Sequence, residues 1–154
     1  MLKRAFLFSC FCGLRHSDIA ALTWENLRKD KAGNTQLHII QQKTQEIISL
    51  PLSPEALKQL PKRGKALDTD RVFNGLISLG RTNEILSRWG KDAGIQKHIT
   101  FHVARHTHAT MMITLDIYTV SKLLGHTNIQ TTQIYAKIVD ESKSKAIALI
   151  PEIT

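Results

Sequence analysis

Apolar residues crowd the start of the chain. Leu2, Ala5, Phe6, Leu7, Phe8, Cys10, Phe11 and Cys12 leave little room for a polar face, so residues 2–12 predict a buried helix that stops at Gly13. Lys3-Arg4 ahead of this run resembles a short signal peptide. The run ends in Arg15 without a small-residue cleavage site, however, and it is too short to cross a bilayer. Ser17 can cap a second, short helix from Asp18 to Leu22, with Asp18 in the first turn where the helix dipole favours an anion. The pattern then changes period. Residues 26–30, 36–42 and 46–51 predict three strands, joined by Lys31-Ala32-Gly33-Asn34 and by Lys43-Thr44-Gln45. Ser53-Pro54-Glu55 opens another helix with proline in its first position, and Lys62 to Asp70 is a polar loop. Four more helices follow: Thr82 to Ala93, closed by Gly94; residues 101–113, capped by Thr100; Asp116 to Leu124, stopped by Gly125; and Asn128 to Ala136, capped by Asn128. A last segment, 140–150, carries apolar residues at 146, 147, 149 and 150. The expected fold is mainly α with a small three-stranded antiparallel sheet. No repeat, low-complexity stretch or linker divides the chain, and 154 residues suffice for one domain with one core.

Charge adds a partner class to this picture. The net charge is +8, with 12 Lys/Arg against 7 Asp/Glu in residues 1–77 and 9 against 6 in the remainder, so the excess is spread along the chain and is not a basic tail. A polyanion is favoured, nucleic acid first and an anionic membrane second. Cys10 and Cys12, two apart in a helix, point to different faces, which fits free buried thiols in a reducing cytosol better than a disulfide or a shared metal.

The candidate chemistry lies mostly near the end. His102, Arg105 and His106 fall at i, i+3 and i+4 of one helix; His126 follows Gly125; Tyr135 comes nine residues later. A phosphodiester repels nucleophiles and gains charge on its oxygens in the transition state, so fixed cationic donors are the main lever on its cleavage. Arginine offers two parallel donors, and histidine can donate to an oxygen or take a proton from a phenol. Arg15 and Lys43 add two more cations.

Each residue also has a plainer reading. Tyr135 could be a half-buried tyrosine, and Tyr118, between Ile117 and Val120, reads as core. Arg15 could form a structural ion pair with Asp18, and Lys43 at a hairpin tip could simply be solvated. Seven histidines invite zinc, but no spacing resembles a zinc motif and no cysteine or carboxylate joins the cluster. Residues 120–129 also resemble a helix-turn-helix, which would bind DNA without chemistry.

Taken together, the chain resembles the catalytic domain of the tyrosine recombinases, the phage integrase family. The resemblance rests on Gly13-Leu14-Arg15-His16-Ser17-Asp18-Ile19; Gln42-Lys43-Thr44 ahead of Leu50-Pro51-Leu52; Thr100-Phe101-His102-Val103-Ala104-Arg105-His106-Thr107; and Leu123-Leu124-Gly125-His126-Thr127-Asn128 through Gln133-Ile134-Tyr135-Ala136. The wording is similar to integrases carried by mobile elements of Bacteroides-type bacteria.

The resemblance implies strand cleavage and rejoining on double-stranded DNA through a 3′-phosphotyrosyl bond, without metal, ATP or cofactor. Arg15 and Arg105 would clamp the phosphate, with His102 and His126 as further donors. His102 could also accept the phenol proton, Lys43 would be the general acid, and Tyr135 the nucleophile. Asp18 would orient an arginine, and His106 would support the site from behind. The family context further implies a homo-oligomer, a tetramer on DNA in which the C-terminal helix can exchange, in the bacterial cytoplasm with the nucleoid and away from membranes. It also implies that 1–154 is one catalytic domain and a fragment lacking an N-terminal DNA-clamping domain. Two departures stand out: Leu115-Asp116 lacks an expected glycine turn and is about two residues short, and His108 replaces a common aromatic. The competing readings are a non-catalytic helix-turn-helix module and a type IB topoisomerase. A hydrolytic nuclease would need a metal cluster or carboxylate pair that the sequence does not offer.

Overall fold

The computed structural model describes residues 1–112, 117–125, 128, 130, 132 and 133. Helix α1 (Leu2–Cys12) buries Ala5, Phe8, Ser9, Cys10 and Cys12 and packs against two later helices. Gly13 ends it in the left-handed region (φ 71°), with its N–H bonded to the Ser9 carbonyl. A side chain there would be strained, and its Cβ would lie 2.7 Å from the His108 ring. The two cysteines are free and buried, as the spacing predicted. Burial pushes both thiols up, to about 11 for Cys10 and about 12 for Cys12, so neither is a nucleophile near neutral pH.

Helix α2 (His16–Ala21) starts earlier than predicted, because Arg15, not Ser17, occupies the cap position. The first predicted strand is shortened: β1 is Leu27–Lys29, preceded by a 3₁₀ turn over Trp24–Asn26. The Asn26 amide explains this. Its oxygen accepts the Thr23 N–H and hydroxyl while its nitrogen donates to the His38 carbonyl, a local alternative to ladder pairing. Strands β2 (Thr35–Ile40) and β3 (Ile47–Pro51) complete an antiparallel sheet of order β1-β2-β3, with Leu37 opposite Leu50 and Ile39 opposite Ile48. These four side chains form the inward row.

Ser53 caps α3 (Pro54–Gln59) by accepting the Ala56 N–H, with proline in the first turn as expected. Helix α4 (Leu79–Asp92) begins three residues before the predicted start, and Thr82 is fully buried within it. Helix α5 (Phe101–Met111) lies against α1, and α6 (Ile117–Leu124) against α5. The core joins Phe8, Leu14, Ile19, Leu22, Leu37, Phe73 and Phe101; a smaller cluster of Ala109, Val120 and Leu124 binds α5 to α6. Tyr118 does not pack in either. It is 60% exposed, its ring beneath the Lys122 ammonium, because α6 turns only its Val120–Leu124 face inward. The predicted continuation of two helices into 113–116, most of the segment 128–136 and the segment 140–150 lie outside the described residues, as does the shortened Leu115-Asp116 turn.

Candidate active site

Arg15 sits half-buried just ahead of α2, its backbone extended (φ −72°, ψ 159°) before the helix begins. Asp18 fixes that turn. Its Oδ2 accepts the Arg15 backbone N–H at 3.3 Å and its Oδ1 accepts the Gln42 N–H at 2.8 Å. The plainer alternative, an Arg15–Asp18 ion pair, is therefore absent. A carboxylate only 3% exposed is satisfied by main-chain donors, and the ion pairs among the described residues are exposed ones elsewhere. Asp18 thus acts on Arg15 through the backbone, and it ties the end of β2 to the start of α2. The Arg15 guanidinium points instead to a neutral acceptor, Gln41 Oε1, at 2.7 Å. An amide oxygen orients the guanidinium without cancelling its charge.

Arg105, one turn past His102 on α5, is only 3% exposed. Nη1 donates to the Gly13 carbonyl at 2.8 Å and Nη2 to the Leu124 carbonyl. Its charge too meets main-chain acceptors. His102 stands exposed at the head of the same helix, its ring edge-on to His106 with centroids 4.6 Å apart. Desolvation lowers the His102 pKa, and the charges of His106, Arg105, Arg15 and Lys43 lower it further. The ring thus lies within electrostatic reach of all four, and at neutral pH it is uncharged. A neutral imidazole is the form that can take a proton. Lys43 is exposed in the β2–β3 turn. The arrangement brings together Arg15, Lys43, His102, Arg105 and His106. His126 and Tyr135 lie outside the described residues. Among the described residues, no three His, Cys, Asp or Glu side chains gather to hold a metal ion.

One site residue has no place in the sequence reading. Gln41 is 1% exposed; its oxygen also accepts the Thr44 hydroxyl at 2.8 Å, and its nitrogen donates to the Leu124 carbonyl at 3.3 Å. A signal existed. Leu37 and Ile39 face inward, so strict alternation puts Gln41 on the same buried side, where an amide is unusual. Gly125 makes room for it. Its φ is +63°, and a Cβ there would lie 2.5 Å from Gln41 Oε1 and 2.8 Å from Ile48. Gly125→Ala is expected to destabilise the fold by about 2–4 kcal/mol, from left-handed strain plus overpacking. Urea titration checks this, and a loss below about 1 kcal/mol would mean that the contact relaxes freely.

His108, the unusual replacement, is 1% exposed behind Gly13; the Cys10 carbonyl lies near the ring, but neither ring nitrogen reaches a partner with good hydrogen-bond geometry. Burial lowers its pKa and the nearby Arg105 charge lowers it further, against the Cys10 carbonyl, which favours the charged form. The folded state therefore holds His108 neutral. Its contribution is complete above the unfolded-state pKa of about 6.5 and is lost as pH falls from there through the folded value. His108→Phe is expected to raise stability by about 1 kcal/mol and to shrink the loss between about pH 7.5 and pH 5. His16 and His102, whose pKa values are also lowered, would keep a remainder. Denaturant midpoints at the two pH values test it; an unchanged difference would clear His108 of the acid sensitivity.

A mainly helical domain around a three-stranded sheet has the architecture of site-specific recombinase catalytic domains. It superposes on a crystal structure of XerA recombinase (TM-score 0.70, 22% identity, 99% of this chain and 64% of that one). It superposes equally on XerH site-specific recombinase bound to palindromic difH substrate in a post-cleavage complex (TM-score 0.70, 17% identity, 96% and 45%). The chain belongs to the phage integrase family, whose model matches residues 1–142. Tyrosine recombinase XerC of Neisseria meningitidis serogroup B is 33% identical over 135 residues, 82% of this chain and 44% of the relative. Tyrosine recombinase XerC of Caldanaerobacter subterraneus is 33% identical over 149 residues, 88% and 41%. The chain thus spans less than half the length of these relatives.

Proposed function

We propose that this chain is the catalytic domain of a site-specific DNA recombinase or integrase that cleaves and rejoins double-stranded DNA through a 3′-phosphotyrosyl intermediate. The observation that carries the reading is the convergence of Arg15, Lys43 and Arg105 around a neutral His102, with the guanidiniums held by uncharged acceptors. Such a cluster suits an anion and stabilises charge growing on it. Arg15 and Arg105 clamp the scissile phosphate, joined by His102 and His126. The Tyr135 oxygen attacks phosphorus as its proton passes to His102. The P–O5′ bond breaks, and Lys43 protonates the departing oxygen. A 5′ hydroxyl from another strand reverses the sequence, so the bond energy is conserved and no metal, ATP or other cofactor is consumed. His106 steadies the His102 ring.

The partners in this reading are double-stranded DNA and further copies of the chain, as a tetramer in which residues 140–150 exchange between protomers. The setting is the bacterial cytoplasm, on the nucleoid. Relatives named as tyrosine recombinases and a neighbour caught on its DNA substrate after cleavage support it. Among the described residues, no helix is long and apolar enough to cross a membrane. We further read residues 1–154 as one catalytic domain of a longer enzyme.

The test uses a pool of nicked duplexes with randomised sequence around the nick, from which the short 5′ fragment diffuses away after attack. At low salt, where phosphate contacts are strongest, a denaturant-stable protein–DNA adduct is expected. Binding without any adduct would favour the helix-turn-helix module. Relaxation of supercoiled plasmid with no partner site would favour the topoisomerase.

A further inference from the structure

A buried amide is unfavourable unless its polar groups are paired, and Gln41 has a partner at each end. Those partners fix which end is which. The Arg15 guanidinium has no acceptor, so the end facing it and the Thr44 hydroxyl is the oxygen. The Leu124 carbonyl can only accept, so the end facing it is the nitrogen. That carbonyl also receives the Arg105 guanidinium, and Thr44 adjoins Lys43 in the β2–β3 turn. One side chain therefore touches the first arginine, the turn carrying the lysine and, through a shared acceptor, the second arginine.

We propose that Gln41 is a positioning residue for strand cleavage, setting the aim of Arg15 directly and the placement of Lys43 through Thr44. The inference rests on the cleavage reading above, with Lys43 as the general acid. It is tested by changing the leaving group. A 5′ oxygen departs as a poor alkoxide and needs a proton. A bridging 5′ sulfur departs as a thiolate, whose conjugate acid has a pKa near 8.5, and needs none. A residue acting through Lys43 therefore matters for the oxygen duplex and much less for the sulfur one. A merely structural residue slows both alike.

The duplexes carry the sequence captured by the unaltered chain. Thr44→Val, at a partly exposed position, removes only the tie to the hairpin. It is expected to slow cleavage about tenfold on the oxygen duplex and less than about twofold on the sulfur one. Gln41→Met keeps the length and releases Arg15, Thr44 and the Leu124 carbonyl. Its expected losses are about 100-fold on oxygen and about tenfold on sulfur, since the Arg15 contribution is common to both. Should Gln41→Met fail to fold, Thr44→Val alone decides. Equal losses on the two duplexes, or no loss for Thr44→Val on the oxygen duplex, overturn the role of Gln41 while cleavage itself stands. No adduct from the unaltered chain on any duplex overturns the cleavage reading, and this role with it.

Discussion

Arg105→Lys is expected to lower strand cleavage by about 10³-fold and to destabilise the fold as well. The two effects share one cause. The guanidinium reaches the Gly13 carbonyl with one nitrogen and the Leu124 carbonyl with the other, so it fastens the end of α1 to the end of α6 while holding a charge within reach of His102. A lysine ammonium is a point donor on a shorter planar reach and leaves at least one of those buried carbonyls unpaired, which costs about 1–3 kcal/mol. Arg15→Lys is the informative contrast. Arg15 is half-buried and hydrogen-bonded to the Gln41 amide, so its replacement should change stability by less than about 1 kcal/mol while cleavage falls by about 10²–10³-fold. Thermal melts alongside single-turnover adduct formation separate the two. Near-normal cleavage by both variants would remove the clamp from the account.

Tyr135→Phe is expected to abolish the adduct and leave DNA affinity within about twofold. Removing one phenolic oxygen takes away no charge, and phosphate affinity follows charge. The covalent bond needs a nucleophilic oxygen in line with the departing 5′ oxygen, and a phenylalanine ring offers none. Tyr118 is the natural competitor. Its position on α6 gave it a core reading, but 60% exposure leaves its hydroxyl open to solvent. Burial therefore does not remove Tyr118 from the candidates. Tyr118→Phe is expected to form the adduct at the normal rate, and loss of the adduct in that variant alone would exchange the two assignments.

The elements whose signal is local were legible in the sequence. The apolar run of α1, the alternation of β2 and β3 and the Ser53-Pro54 start of α3 depend on residues within a turn or a strand of one another. The candidate cations were legible as residue types, and the fold brings Arg15, Lys43, Arg105 and His106 within electrostatic reach of His102. The connections among them were not. Arg105 bonds a carbonyl 92 positions upstream, and Gln41 bonds one 83 positions downstream. No periodicity encodes such a pair, because it exists only once the core has closed. Asp18 shows the same limit. Opposite charges three residues apart suggest an ion pair, but two main-chain N–H groups needed an acceptor in a buried corner and took the carboxylate first. Asn26 and the early start of α4 are smaller cases, where side-chain bonds or buried contacts moved an element's end.

The most direct measurement is to digest the trapped adduct and locate the nucleotide by mass spectrometry. The account predicts a single modified peptide, residues 123–137 after trypsin, bearing a 3′-linked phosphate on the Tyr135 oxygen. A nucleotide on Tyr118, a serine or a cysteine, or a 5′-linked phosphate on any residue, would contradict it.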